Sequence, residues 1–298
     1  MKQTLCVPRL ALVAALAAAL AAAFVPASFA ATKVGVNAAI RNKVEMQTDA
    51  DKALRPAVPR EAVHLGDLVV SGPQSSLQML LLDQSVFTVG ANARMKIDRF
   101  VYDPDKGTTD IATSVAKGAF RFMSGHLVPG AGHEAIRTPV ATIGVRGTIV
   151  EGAVGQDALD VMAGEPGVPA YGGDPKDAVL ILLGGPGNGA QGFDKPGAID
   201  VTGGNATTAV EHGGNAMLFL PGQPLVGPFK LSDAAYGRLT ALLSPKPGAG
   251  EAGGPDVGSA SVGSGDILGI GDFDGQFLTD PQNLDLPLGV RCDSPKGC

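Results

Sequence analysis

Four histidines, three cysteines and a scatter of aspartates are the side chains best suited to catalysis or metal binding, and their spacing argues against most of that chemistry. His64, His126, His133 and His212 form no i, i+4 pair and none neighbours a cysteine, so the usual zinc spacings are absent. His126 and His133 flank the turn LVPGAG, with Glu134 directly after, and read as exposed turn histidines rather than metal ligands. The acidic turns DPDKG (103–107) and GDFDG (271–275) lack the spaced oxygen ligands of a calcium loop and read as solvated turns. GNGAQG (187–192) fits G-x-G-x-x-G, but a dinucleotide site needs a helix opening on its third glycine. Pro196 and Gly197 stand where that helix should run. No G-x-S-x-G nucleophile turn occurs. The expectation is a protein that is not an enzyme, with no metal and no cofactor.

One stretch stands out: RTPVATIGVRGTIVEG, residues 137–152. Arg146 lies between Gly144 and Gly147 in a β-favouring run. Its five donors suit carbonyls or a carboxylate, with Asp83 or Asp98 as candidate acids, and an inward structural role is expected over an outward one. Glycine inside a strand marks a bulge, a bend or a close backbone approach. Thr138–Pro139 reads as the entry to a strand, and Thr148 resumes the run after the bend.

The elements that must position these residues are short strands. VHLGDLVVSG (63–72), SLQMLLLD (76–83), SVFTVG (85–90), RMKIDRFVYD (94–103), TDIATSV (109–115), KGAFRFMSG (117–125) and HEAIRTP (133–139) are each bounded by turn residues. In RMKIDRFVYD, strict alternation puts Met95, Ile97, Arg99 and Val101 on one face and Lys96, Asp98, Phe100 and Tyr102 on the other. A glycine-rich region at 156–228 keeps strand signals in DALDVMAG (157–164), AVLILLGG (178–185), AIDVTGG (198–204) and NAMLFLPGQ (215–223). One helix is expected within 229–245: Ser232 is a good N-cap, Leu231, Ala235, Leu239 and Leu242/Leu243 share a face, and Pro245 ends it. From 246 to 298 the composition is that of a flexible, Gly-rich tail.

Residues 1–30 carry the marks of a secretory signal peptide. Lys2 and Arg9 precede the apolar run Leu10–Val25, and Ser28-Phe29-Ala30 suits cleavage after Ala30. The sixteen-residue run is short for a membrane span of about twenty residues, so no span is expected after cleavage. Cys292 and Cys298 could close a small loop in an oxidising compartment, the alternative being two exposed thiols. The formal net charge is −6, with no basic cluster, which disfavours nucleic acid and anionic lipid.

Three blocks together resemble the FecR-domain family. DQSVFTVGANARMKIDRFVYDP is similar to its "DxS…G-x-N" block, KGAFRFMSG to its "G-x-hydrophobic-x-F-x-x-G" block, and TPVATIGVRGT to its apolar run ending in G-x-R-G-T. NAMLFLPGQPLVG is similar to a strand and PGQ turn that often follows such domains. The resemblance spans roughly 60–155 and implies an all-β, solenoid-like roll of short strands outside the inner membrane. In well-known members this module belongs to a membrane-spanning regulator of a sigma factor. The organisation expected is thus a signal peptide at 1–30, a FecR-like β domain at 31–155, a Gly-rich β extension at 156–228, a helix at 229–245 and a tail at 246–298. The function expected is that of a periplasmic or secreted module that binds an envelope protein and is associated with signalling. The alternative is a structural or surface protein with a Gly-rich spacer. Partner and oligomeric state are left open.

Overall fold

β-favouring runs, cut by Gly, Asn and Asp turns, give seventeen strands and two short α-helices among the residues that the computed structural model describes, 31–125, 132–169, 171–186, 197–204 and 206–245. Residues 1–30, where a signal peptide is expected, His126, GNGAQG, GDFDG, Cys292, Cys298 and the expected tail at 246–298 lie outside the described residues.

The strands form two sheets joined by one shared strand. Sheet I runs β4 (Ala62–His64), β1 (Lys33–Arg41), β6 (Ser76–Leu81), β7 (Val86–Val89), the second part of β9 (Thr108–Met123), β12 (Thr148–Val154), β13 (Val179–Pro186), β16 (Asn215–Phe219) and β17 (Val226–Lys230). Sheet II runs β3 (Arg55–Pro56), β2 (Val44–Gln47), β5 (Leu68–Ser71), β8 (Arg94–Asp103), the first part of β9, β10 (Gly132–Arg137), β11 (Ala141–Arg146), β14 (Ala198–Gly203) and β15 (Ala206–Val210). Among these pairs only β9–β10 is parallel. The sheet is open, not closed. From β5 onward the strand numbers rise steadily across both sheets, so the chain winds from one end of the structure to the other. Strands from 156–228 continue both sheets, since β13 pairs with β12 and β14 with β11.

TDIATSV and KGAFRFMSG, two runs in sequence, are one strand. Residues 108–117 of β9 pair with β8, and residues 118–123 pair with β12. The change of sheet falls at Gly118, whose φ is +83°. A Cβ there would lie 2.2 Å from Ala93 Cα, so backbone and conformation both require glycine.

The main core lies between the sheets. Sheet I contributes Leu77, Met79, Phe87, Phe120, Phe122 and Ile181 among others, and sheet II contributes Met95, Ile97, Ile111, Ile136, Ile143 and Val201. Phe87 packs against Phe120 and Phe122 with ring centroids 6.4 and 5.8 Å away. A second core covers the other face of sheet I. There Leu180, Leu182, Ala216 and Leu218 meet α1 (Gln156–Met162) and α2 (Asp233–Leu243). This explains why AVLILL does not alternate: Val179, Ile181 and Leu183 face the main core, while Leu180 and Leu182 face the helices.

α2 forms as its pattern requires. Ser232 Oγ accepts from Ala235 N at 3.2 Å, and Ala235, Leu239 and Leu243 are buried. A last-turn carbonyl that would otherwise lack a partner, Leu242 O, accepts from Ala91 N at 2.8 Å. PGQ at 221–223 turns β16 into β17, with Gln223 N donating to Leu220 O at 3.0 Å.

Two expectations are corrected. DALDVM of DALDVMAG lies in the helix α1 and not in a strand, because Ala158, Val161 and Met162 fall at helical spacing and bury together. β8 does not alternate throughout. Its register shifts between Ile97 and Arg99, so Asp98 and Arg99 both face out and Phe100 and Tyr102 turn inward. Val101 is left 59% exposed. A single bulge exchanges the two faces of everything beyond it.

Candidate functional site

Motif residues from separate blocks meet at one buried polar cluster. Asp83 and Ser85 lie in the turn from β6 to β7, Ser124 follows β9, Glu134 sits in β10 and Thr148 begins β12. All five are at most 3% exposed. Ser85 Oγ donates to Asp83 Oδ2 at 2.7 Å, and Ser85 N donates to Asp83 Oδ1 at 3.1 Å. Gly125 N donates to Ser85 Oγ at 3.0 Å. Ser124 Oγ donates to Glu134 Oε2, and Thr148 N donates back to Ser124 Oγ at 3.2 Å. Ser124 N donates to Thr148 O at 3.1 Å. Thr148 Oγ1 donates to Gly185 O, carrying the chain of bonds on to β13. Glu134 Oε1 stands 3.5 Å from Ser85 Oγ, which links the two carboxyls through one hydroxyl.

Burial dominates the electrostatics here. It pushes Glu134 up to about 7, with the Asp83 charge adding and the Ser124 and Ser85 hydroxyls opposing. Asp83 is also raised by burial, against its bonds from Ser85. The cluster therefore holds a carboxyl that titrates near neutrality, and bonds that tie the β6–β7 turn to β9, β10, β12 and β13. The hydroxyls of Ser85, Ser124 and Thr148 are buried and spend their bonds on groups within the protein, so the arrangement is a clamp. His133 and Glu134, neighbours in β10, face opposite sides of the sheet: His133 is exposed and Glu134 buried. Among the described residues no group of His, Cys, Asp and Glu could hold a metal ion.

Arg146 lies elsewhere. Its guanidinium is on the outer face of sheet II, 53% exposed, with Nη2 3.0 Å from Asp200 Oδ1 on β14. The inward reading is thereby corrected, as are both candidate partners. Asp83 is in the buried cluster, and Asp98 accepts from Ser114 and lies 3.9 Å from Arg137. Alternation decides the direction: Ile143 and Val145 fill the core, so Arg146, next in line, points outward. The bend belongs to Gly147 alone. Its φ is +61°, and it carries the chain from β11 in sheet II to β12 in sheet I. Gly144 is an ordinary strand residue opposite Ala135 and Asp200. Thr138–Pro139 is no strand entry but the hairpin turn from β10 to β11, closed by Thr138 N to Ala141 O at 2.8 Å and Ala141 N to Thr138 Oγ1 at 3.1 Å.

The outer face of sheet II is polar. Besides Arg146–Asp200 it carries Arg99–Asp110 at 2.6 Å and Arg137–Asp98 at 3.9 Å. The face of sheet I turned toward the helices holds a different pair, Arg121 Nε to Glu151 Oε1 at 2.8 Å, where Glu151 is 3% exposed and raised by burial despite the arginine. Asn92, in the G-x-N block, donates to Asp157 Oδ1 of α1 at 3.1 Å. With Ala91 N holding α2, this loop fastens both helices. A cleft of about 330 Å³ lies between α1 and Leu220, lined by Leu159, Met162, Val168 and Tyr171. Glu165 at its side is bonded to Ser232.

Sequence reasoning missed Ser124 and Glu134 as members of a cluster, and Asp200 as the acid of Arg146. A signal for Glu134 was present: it stands two residues before Ile136, on the core-facing side of β10.

A clamp joining the first, middle and last motif blocks, with helices held by the G-x-N loop, defines a modular β domain built on those blocks. Residues 67–165 match the family described as FecR protein. Two crystal structures of a candidate anti-sigma factor from Parabacteroides distasonis ATCC 8503, at 1.65 and 2.50 Å resolution, are similar to the chain at 11% identity and a TM-score of 0.36. The likeness covers 55% of this chain and 60% of that protein's length. No curated protein matches the chain.

Proposed function

We propose that this is an exported, periplasmic or secreted FecR-domain protein that acts without catalysis, as a signalling-associated module docking an envelope protein on the outer face of sheet II. One observation carries the reading. Sheet I is covered by α1 and α2 on its far side, whereas sheet II presents Arg99, Arg137 and Arg146, each beside an aspartate, on an exposed face. Exposed arginine–carboxylate pairs contribute at most about 1 kcal/mol to folding, so they are free to exchange partners. Arginine is also favoured where a protein surface meets acids on another. The FecR match and the signal-peptide pattern support the rest of the reading. The steady winding of strands between the two sheets supports a β-roll.

The test uses tagged mature chain, residues 31–298, incubated with envelope extract of its own cell. A specific protein retained by wild type and lost by the triple change Arg99→Ala, Arg137→Ala and Arg146→Ala, with unchanged circular dichroism, is the expected result. Equal retention by both proteins would sink this docking face.

A further inference from the structure

An edge strand leaves alternate N–H and C=O groups unpaired, and β proteins usually blunt such edges with proline, charge, bulges or short length. Most edges here follow that rule. β3 is two residues long and ends in Pro56, and β4 has three residues. β17 contains Gly227 and Pro228, ends on Lys230 and has a register break against β16. β1 has a bulge between Asn37 and Ala39 and ends on Arg41. β15 is different. Its sequence ATTAV holds no charge, proline or bulge, and it pairs with β14 through five consecutive residues. Among the described residues no strand pairs with its other side. Ala206, Thr207 and Ala209 are exposed.

We propose that β15 is a self-association edge: it pairs antiparallel with β15 of a second copy of this chain, making sheet II continuous across a two-fold axis. This goes beyond the docking reading, since it uses the edge and not the arginine face. Centring the pairing on Thr208 employs all five residues. Thr208 then faces Thr208 of the copy, Thr207 faces Ala209, and Ala206 faces Val210.

The sides agree. Thr208 and Val210 lie opposite Val201 and Ile199, on the core side of the sheet, while Thr207 and Ala209 lie opposite Thr202 and Asp200, on the outer side. A two-fold axis perpendicular to the sheet keeps each residue on its own side, so the core rows of both copies run on into each other. The Thr–Thr contact at the axis is a favourable cross-strand pair. Charge also permits it. The row that holds Asp200 and Ala209 in one copy continues into Thr207 and Thr202 of the other, so the two Asp200 carboxylates never share a row. An acidic chain meeting itself thus does so along a neutral strand.

Sedimentation equilibrium on residues 31–298 over about 1–100 μM, the range of small interfaces, should show a reversible monomer–dimer equilibrium. Thr207→Lys with Ala209→Lys places lysine opposite lysine twice and should weaken the dimer about tenfold or more. Thr207→Lys with Ala209→Glu places lysine opposite glutamate at the same two exposed positions and should restore it. That second variant separates loss of pairing from loss of fold. A wild type that stays monomeric throughout, or pairs with foreign strands only, overturns the proposal. So does a dimer indifferent to the double lysine, or one that the Lys/Glu change fails to restore.

Discussion

Replacing Glu134 by glutamine isolates the contribution of one buried acid to the pH dependence of folding. In the folded protein Glu134 is held at about 7, against an ordinary 4.5. The folded state therefore binds this proton more tightly than the unfolded state does. Its contribution is fully present below pH 4.5, where both states are protonated, and is lost as pH rises from 4.5 to about 7. At about 1.4 kcal/mol per tenfold change in proton affinity, the loss amounts to about 3 kcal/mol. Glutamine keeps the shape and can accept from Ser124 but does not titrate. Urea denaturation of both proteins from pH 4.5 to 8 should give curves that agree at the acid end and separate as pH rises, with the variant about 3 kcal/mol more stable at pH 8. Taking the difference removes the titration of Asp67, Glu151 and Asp157, which burial also raises. Asp83 does not cancel wholly, because a neutral neighbour lets it ionise more readily, and this widens the gap slightly. Two parallel curves over that range would refute the account of a carboxyl kept from water by its surroundings.

Gly118→Ala should destabilise by about 2–4 kcal/mol, from a left-handed backbone plus a Cβ driven into Ala93, and thermal denaturation reads it directly. Arg121→Ala should cost about 3–5 kcal/mol near pH 7, because it strands Glu151 buried without its cation. Changing both Arg121 and Glu151 to leucine should recover most of that, and a double change as harmful as the single one would show that the pair is not the cause.

The strand content was legible because turn residues and β-branched runs are local signals. β6, β7, β10 and β13 fall within about two residues of where TDIATSV-like runs and their neighbours place strands. What failed depended on contacts distant in sequence. Strict alternation misassigned Phe100 and Val101, since a bulge in β8 is set by its partner β9 and leaves no mark in RMKIDRFVYD. DALDVM reads as strand or helix alike over so few residues, and its docking on Leu180 and Leu182 selects the helix. The block resemblance brought Asp83, Ser85 and Thr148 into view, but not that they meet, because their juxtaposition exists only once the chain changes sheet within β9 and again between β11 and β12. Arg146 shows the limit most plainly. The glycines beside it suggested a bend that needed an arginine inside, whereas alternation with Ile143 and Val145 already sent it outward.

The grip of Ala91 on Leu242 has a consequence in time. A chain made from its N-terminus presents the apolar outer face of sheet I, with Ala119 and Ala153, long before Leu239 and Leu243 arrive to cover it. Completion of the fold thus waits for residues some eighty positions beyond the family match at 67–165. Until then the half-made sheet is a substrate for chaperones, and a chain interrupted before Leu231 should be cleared by proteases rather than persist as a working module.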